Sequence, residues 1–153
     1  NVIIQYPDWT LEIYGETDGS RTIEKLVKEL NMENHVELHP PIKNIEQVYS
    51  NALILLNTSS SEAFGLVIIE AMAFGLPVIA FDNASGPKTI IENERNGMLI
   101  KDNDSQAYAN KIKELIKNDT LRKAIGENAK DSVKKFNLVG IMKQWHELFQ
   151  SLN

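Results

Sequence analysis

The chain has 153 residues, of which 42% are hydrophobic, no cysteine and a net charge of −5. This length and apolar content predict one ordinary domain, while the lack of cysteine excludes disulfides and thiolate metal sites and favours a cytoplasmic location. The acidic balance argues against broad nucleic-acid binding, and without a long apolar run or a signal-peptide pattern no transmembrane or secreted segment is predicted.

Short apolar segments alternate between strand and helix patterns along the first two thirds of the chain. The stretch 11–15 alternates in polarity and ends in a glycine, whereas 52–56 is a continuous apolar run typical of a buried parallel strand. Ser20 is placed to cap the first helix. In chain order, the predicted elements are strand 11–15, helix 21–30, strand 36–38, helix 45–50, strand 52–56, helix 66–74, strand 78–81, helix 87–92 and strand 98–100.

The last third of the chain is predicted to be helical. Asp104 or Ser105 caps one helix, Thr120 caps a second, and a third carries an apolar stripe over 138–152. Trp145, in that stripe, is expected to pack in the core or between domains. Together the elements predict an α/β fold, in which a Rossmann-like doubly wound parallel sheet is followed by C-terminal helices.

The segment 59–80 carries the strongest functional pattern. A loop of small polar residues leads to Gly65, and an apolar helix follows. The first N–H groups of a helix lack intrahelical acceptors and the helix dipole favours negative charge there, so this N-terminus suits a phosphate. Glu62 in the loop and Glu70 in the helix are acceptors suited to sugar hydroxyls. Glu70 lies roughly 6–9 Å from the helix start, about the span from a phosphate to the far side of its ribose.

This segment resembles the donor-sugar region of retaining GT-B glycosyltransferases of the family 4, group 1 type. Their frame is like E-x-F-G-L-x-x-x-E-A-M-A-x-G-x-P-V-I-A, and Ala63 stands where the family more commonly has glycine. The likeness continues through 86–92 and 96–100, so it covers essentially the whole chain as one half of a GT-B fold. The residues that fit the frame are Glu62, Phe64, Gly65, Leu66, Glu70, Ala71, Met72, Ala73, Gly75, Pro77, Val78, Ile79 and Ala80.

The resemblance implies a role for each matched position. Glu62, at the catalytic position, would accept from hydroxyls of the donor sugar, and Glu70 from the ribose diol. In the family the loop after the second strand lines the nucleotide base, which assigns Pro41 and Ile42 to the base, with a stiff connector as an equal alternative. The loop 82–86, at another strand end, is also expected to line the cleft. The residues expected to bind the donor sugar and its phosphates are Ala63, Phe64, Gly65, Leu66 and Val67.

The implied enzyme is a retaining hexosyltransferase that uses a nucleoside diphosphate sugar and a glycan or lipid-linked sugar acceptor. No D-x-D run is present and the three histidines are scattered, so we expect neither a metal nor another cofactor. In the family, an upstream Arg–Lys pair grips the diphosphate and an N-terminal domain supplies the acceptor site. Because the chain starts at Asn1, after the place of both, we expect a donor-binding piece, truncated at its N-terminal edge and inactive alone.

Two other functions stay open on the sequence. A GT-B enzyme of different chemistry, such as a nucleotide-sugar epimerase or a phosphorylase, would share the donor frame. A non-catalytic module that binds nucleotide sugars or partner proteins would need only the fold. A dinucleotide-dependent oxidoreductase is disfavoured, because no G-x-G-x-x-G follows a strand. The sequence leaves open the sugar, the base, the acceptor, and any peripheral attachment of the parent protein to a membrane.

Overall fold

The computed structural model describes residues 2–16, 19–82 and 85–152, which alternate between strand and helix as the sequence predicts. The chain divides into two units, Asn1–Gln47 and Val48–Asn153. The elements up to the division are α1 (Val2–Gln5), β1 (Leu11–Tyr14), α2 (Thr22–Glu29), β2 (Val36–His39) and α3 (Ile45–Asn51), within which the division falls. Those that follow are β3 (Leu55–Asn57), α4 (Leu66–Ala73), β4 (Val78–Phe81), α5 (Ser85–Ile90), β5 (Met98–Ile100), α6 (Ser105–Lys117), α7 (Asp119–Ser132), a 3-10 helix (Val133–Phe136) and α8 (Leu138–Ser151).

The first unit contains a parallel pair of strands joined through α2. Leu11 pairs with Val36 and Tyr14 with His39, so the two strands end level with each other. The helix α1 is an element that the sequence patterns did not predict. The apolar positions of α2 are only partly covered, since about half of Leu26 is exposed. This unit therefore presents the carboxyl ends of two parallel strands at one edge, the arrangement at which α/β folds commonly bind ligands.

The prediction that Ser20 caps α2 is wrong. The helix begins one residue later than that cap requires, because Arg21 occupies the left-handed region at φ 52° and is itself the N-cap. The Arg21 side chain makes no capping hydrogen bond, and the Ser20 hydroxyl hydrogen-bonds the Thr22 hydroxyl at 2.6 Å. A non-glycine residue at positive φ is uncommon, so the sequence pattern gave no sign of this turn.

The second unit is built on a three-stranded parallel sheet in the order β3-β4-β5. The central strand β4 has no exposed surface on Val78, Ile79 or Ala80, which accounts for its continuous apolar sequence. Leu55 pairs with Val78, and Ile79 pairs with Met98. The sequence prediction of strands at 78–81 and 98–100 is confirmed, as is the Rossmann-like alternation of parallel strands and helices.

The strand predicted at 52–56 begins three residues later and ends one residue later, at Leu55–Asn57. Helix α3 continues to Asn51, and the Ala52 N–H still donates to the Val48 carbonyl at 2.9 Å. Ladder pairing starts only where the Leu55 N–H donates to the Pro77 carbonyl, so Leu53 is left half-exposed. Leucine suits a helix end, a loop or a strand, and hydrogen bonding to β4 decided where the strand began.

Helices α6 and α7 cover the sheet and complete its core. The hydrophobic core between the sheet and these helices includes the buried side chains of Ile79, Met98, Leu115 and Ile125. Tyr108 of α6 adds a polar clamp, because its hydroxyl donates to the carbonyls of Ile79 at 2.7 Å and Asn57 at 3.3 Å. One tyrosine thus fixes α6 against both β3 and β4.

Two capping predictions for these helices have different outcomes. Asp104 caps α6, as predicted, with its carboxylate accepting from the Ala107 N–H at 2.8 Å. Thr120 does not cap α7, because Asn118 takes that role and accepts from the Leu121 N–H at 3.0 Å. The sequence Asn-Asp-Thr at 118–120 holds three residue types that cap helices well, and only the path of the backbone selects among them.

Helix α8 keeps its predicted position, but its apolar stripe is exposed. Trp145 is 51% exposed and stacks on Phe149 with 5.7 Å between ring centroids. Trp145 therefore does not pack in the core, because no other element among the described residues covers this face of the helix, and its packing between domains stays a prediction. Neither α8 nor another helix in the described part of the chain has the length and apolar character that a bilayer crossing requires.

Replacing Gly126 by alanine is expected to destabilise the fold, because α7 meets the turn after α4 at this glycine. An added Cβ would lie 2.1 Å from the Gly75 carbonyl oxygen, which is backbone and cannot rotate away. We expect the free energy of unfolding in urea to fall by about 1–3 kcal/mol. Gly140→Ala is the matched helical control, since its Cβ would meet nothing closer than 3.5 Å. Equal stability of the two variants would contradict this account of the α4–α7 contact.

Candidate functional site

The N-terminus of α4 is the centre of the candidate site. Gly65 is its N-cap at φ 95°, and no side chain caps the helix there. The Gly65 carbonyl accepts from the N–H groups of Ile68 at 3.0 Å and Ile69 at 3.3 Å. The N–H groups of Leu66 and Val67 donate to no acceptor within residues 2–16, 19–82 and 85–152. Two free donors and the positive end of the helix dipole therefore coincide where the sequence predicts a phosphate.

Glycine is required at position 65 for two reasons. Its φ lies in the left-handed region, which side-chain-bearing residues rarely adopt. In addition, a Cβ there would lie 3.1 Å from Ile68 Cδ1 and 3.4 Å from Glu62 Cγ. The side chain of Glu62 thus lies against the Gly65 backbone, directly before the helix.

A second glycine holds this loop from the other side. Gly86, in the first turn of α5, packs so closely on the loop that an added Cβ would lie 2.5 Å from the Phe64 carbonyl oxygen. Gly86 is buried, and Phe64 also meets the Phe136 ring edge-on at 5.8 Å. The position of the Phe64 backbone is therefore fixed by α5 and by the 3-10 helix. Sequence reasoning placed Gly86 in a loop and gave no sign of this contact.

The two glutamates of the motif differ in environment. Glu62 is half-buried and no hydrogen-bond partner for its carboxylate lies in the described part of the chain, so its oxygens are available to a ligand. Glu70 is exposed on α4, four residues after Leu66, which places its backbone about 6 Å further along the helix axis. The structure thus places one carboxylate before the helix and the other more than a turn into it, as the sequence predicts.

Tyr49 is a member of this site that the sequence analysis missed. Its hydroxyl donates to Glu70 Oε2 at 3.3 Å, and its side chain is buried, with 5% exposed. Burial, followed by the charge and the hydrogen bond of Glu70, raises the pKa of the Tyr49 phenol to about 12, so it remains a donor at neutral pH. Its helical position, four residues after Ile45, could have indicated a buried face, but its partner is 21 residues away in sequence.

The apolar residues at the mouth of the site are partly exposed. Leu66 is 65% exposed, and Phe64 and Val67 are each about two-fifths exposed. Ala63 is exposed as well. With Gly65, these are the five residues predicted to contact the donor sugar and phosphates, and all of them border the N-terminus of α4. Four of the five are exposed, whereas Gly65 itself is buried.

The residues predicted to line a base lie in the first unit, where a cavity opens at the ends of β1 and β2. It has a volume of about 540 Å³ and is lined by Pro41, with Pro40, Leu38 and His39 beside it. Ile42 is not among its lining residues and is 40% exposed. His39, which the sequence analysis set aside, stacks on Tyr14 with ring centroids 4.6 Å apart. The role of Pro41 and Ile42 toward a base stays a prediction.

Polar residues also stand at the ends of β3 and β4, where the loop 82–86 was expected to line the cleft. Asn57 caps its own turn, accepting from the Ser59 N–H at 3.2 Å, so its side chain has a structural use. Of the loop 82–86, Asn83 and Ala84 lie outside the described residues. Asp82 forms an exposed ion pair with Lys88 at 3.8 Å. Among the described residues, no three acidic or histidine side chains are grouped closely enough to hold a metal ion.

Comparison with known proteins identifies the family. The model of the family described as glycosyl transferases group 1 matches residues 2–132. The chain belongs to this family. It has the GT-B Rossmann-like fold, with the segment 59–80 inside the matched region.

Two curated relatives show how much of a longer protein the chain matches. It is 34% identical over 148 residues to an exopolysaccharide phosphotransferase of Streptomyces coelicolor, covering 96% of this chain and 16% of that protein. It is also 34% identical over 140 residues to the poly(ribitol-phosphate) alpha-N-acetylglucosaminyltransferase of Staphylococcus aureus, covering 91% of this chain and 28% of that enzyme. The chain therefore spans less than a third of either relative.

A solved structure of this group gives the same fold with a nucleotide present. The Anabaena protein HepE, in complex with UDP, superimposes with a TM-score of 0.89 and is 30% identical, covering 98% of this chain and 43% of that one. The same protein has been solved with UDP-glucose, with a TM-score of 0.87. One protein that shares this fold thus binds UDP and UDP-glucose.

Replacing Gly86 by alanine is expected to displace the loop before α4. The Cβ would overlap the Phe64 carbonyl, so either the loop or α5 must move. We expect a loss of about 1–3 kcal/mol in the free energy of unfolding, with amide chemical-shift changes concentrated at residues 62–67 and 85–90. Gly19→Ala is the control, because nothing lies within 4 Å of its added Cβ. Unchanged resonances at 62–67 would show that the contact does not hold the loop.

Proposed function

We propose that this chain is the donor-binding part of a retaining, metal-independent glycosyltransferase. It binds a nucleoside diphosphate sugar whose hexose is transferred to a sugar, glycan or lipid-linked sugar acceptor held by another part of a longer protein. Separated from that part, it transfers no sugar. The supporting observation is the N-terminus of α4, where the N–H groups of Leu66 and Val67 are unpaired within the described residues and stand between Glu62 and Glu70 in the sequence.

The positions of these groups match the parts of such a donor in order. The amides of Leu66 and Val67 supply hydrogen bonds and positive dipole potential to the phosphate that carries the sugar. Glu62, before the helix, accepts from sugar hydroxyls, and Glu70, about 6 Å along the axis, accepts from the ribose diol. Each carboxylate is thus assigned to hydroxyl groups rather than to the anionic phosphates, which it would repel.

The chemical role of this chain is to stabilise the diphosphate leaving group. As the bond between the sugar and the phosphate breaks, negative charge grows on the diphosphate. Preorganised N–H groups at a helix N-terminus lower the energy of that charge without having to reorient. Glu62 holds the sugar while the anomeric carbon of that sugar becomes electron-poor. Retention of configuration, by departure and attack on the same face, is part of the proposal by analogy with the family.

Uridine is the proposed nucleoside and a transferase the proposed class. UDP and UDP-glucose bind the solved relative of the same fold. An epimerase, a phosphorylase or a non-catalytic binding module would use the same donor groups. Consumption of UDP-sugar by the longer protein only when an acceptor is present favours transfer over these alternatives. Membership in a family described as glycosyl transferases supports the same choice.

The two glutamates are expected to affect different parts of the ligand. In calorimetric titrations, Glu70→Ala should weaken both UDP and UDP-glucose about tenfold to a hundredfold, because a hydrogen bond to a charged acceptor contributes about 1.5–3 kcal/mol. Glu62→Ala should keep the affinity for UDP within about twofold of that of the unsubstituted chain. It should weaken binding of UDP-glucose about tenfold or more.

A matched control separates these effects from a general loss of acidic charge. Glu127 is an exposed glutamate on α7, and Glu127→Ala should change neither affinity. Melting temperatures should stay close to that of the unsubstituted chain, since neither Glu62 nor Glu70 belongs to the core. The opposite pattern, with UDP binding lost in Glu62→Ala and kept in Glu70→Ala, would reverse the assignment. If neither variant changes the affinity for UDP or for UDP-glucose, the donor-site assignment is refuted.

Donor binding is expected to be independent of divalent metal. The proposed phosphate site uses backbone N–H groups, which need no ion to attract the phosphate. UDP titrations in the presence of EDTA and in the presence of Mg²⁺ or Mn²⁺ should give dissociation constants that agree within about twofold. Loss of UDP binding on chelation, restored by adding the metal back, would overturn the metal-free part of the proposal while leaving the rest in place.

A further inference from the structure

We propose that Tyr49 is a positioning residue that holds the Glu70 carboxylate ready for the ribose diol. This inference rests on the proposed function and adds a residue to it. Tyr49 lies on α3, in the same unit of the chain as α4, and it does not need to touch the ligand to act. Its hydroxyl donates to Glu70 Oε2 at 3.3 Å.

The contacts of Tyr49 follow one face of α4. Glu70 and Phe74 are four residues apart and so lie on the same side of that helix. The Tyr49 ring packs against the Phe74 ring with centroids 5.7 Å apart, while its hydroxyl reaches Glu70. The ring is 95% buried, so its orientation is fixed by packing and the hydroxyl is presented at a defined point. Glu70 itself is exposed.

An exposed glutamate without such a contact samples several rotamers and must lose that freedom when a ligand binds. A hydrogen bond from a fixed phenol selects rotamers that bring Oε2 toward Tyr49 before the ligand arrives. An ionised carboxylate has about four lone-pair sites, so one bond from Tyr49 leaves Oε1 and the remaining sites for two ribose hydroxyls. The Tyr49 phenol keeps its proton far above neutral pH, because burial raises its pKa to about 12.

The distance of 3.3 Å is at the long end for an O–H···O bond, so the effect is expected to be moderate. We expect Tyr49→Phe to raise the dissociation constant of UDP about threefold to tenfold, within the range for a single hydrogen bond. The variant keeps the ring and its contact with Phe74. For this reason we expect it to fold and to lose the hydroxyl alone.

The test compares UDP with 2′,3′-dideoxy-UDP by calorimetry, because only the former carries the ribose diol. The unsubstituted chain should prefer UDP, and Tyr49→Phe should lower that preference about threefold or more while changing dideoxy-UDP affinity less than about twofold. A purely structural role of Tyr49 would weaken both ligands equally. Glu70→Asp draws the carboxylate away from Tyr49 at an exposed position that cannot disrupt the core, and it should lower the preference in the same way.

Tyr108→Phe is the matched control. It removes another buried tyrosine hydroxyl, one that donates to the Ile79 and Asn57 carbonyls and contacts no carboxylate. It should lower the melting temperature yet leave the ratio of the two affinities unchanged.

Two outcomes distinguish the failure of this inference from failure of the proposed function. If Glu70→Ala abolishes the preference for UDP while Tyr49→Phe and Glu70→Asp keep it, Glu70 binds the ribose without help from Tyr49 and the positioning role is refuted. If Glu70→Ala keeps the preference, the ribose role of Glu70 is itself wrong and the inference falls with it. Loss of the preference in all three variants, with the Tyr108→Phe ratio intact, supports both.

Discussion

The candidate site depends on one constraint, the left-handed turn at Gly65 that starts α4. At φ 95°, with Ile68 and Glu62 within van der Waals reach of a hypothetical Cβ, this position accepts glycine alone. The turn ends the loop with Glu62 against the backbone and begins the helix with two N–H groups that have no acceptor in the described part of the chain. The electrostatic character of the site follows from this geometry, because donors at a helix N-terminus are fixed in direction and need not reorganise around an anion.

The turn is held in place by a chain of contacts that reaches the far side of the second unit. Gly86 of α5 packs on the Phe64 backbone. The fully buried Asn96 accepts from the Glu92 N–H at 2.7 Å and donates to Ser132 Oγ at 2.9 Å, so the segment after α5 is tied to the end of α7. The helix α7 in turn meets the end of α4 at Gly126. Each contact leaves little space for an extra methyl group or satisfies a buried polar group, which makes the assembly stiff.

The two carboxylates differ in how far hydrogen bonds fix them before a ligand binds. Glu70 already has a donor, Tyr49, whereas Glu62 has no hydrogen-bond partner within the described residues and its Cγ lies against Gly65. In the proposed function, a positioned acceptor at Glu70 suits the ribose, which is common to every donor that carries the same nucleoside. A carboxylate less constrained by hydrogen bonds suits the sugar, whose hydroxyl pattern varies among donors. Under the proposed function, selectivity for the sugar would depend on residues around Glu62, and affinity for the nucleotide on α4.

The sequence by itself determined the α/β alternation, the bounds of β4 and β5, and the order of the groups along the segment 59–80. These features are local, because apolar runs, glycines and charged residues at fixed spacing act over a few residues. Tertiary structure decided the features for which the local sequence allows more than one outcome. Pairing with β4 shifted β3 to Leu55, the backbone path chose Asn118 over Thr120 as a cap, and Trp145 stayed exposed because no element among the described residues covers it. Tyr49 and Gly86 joined the site through partners more than twenty residues away in sequence, because such contacts depend on how helices pack and leave no local periodic signal.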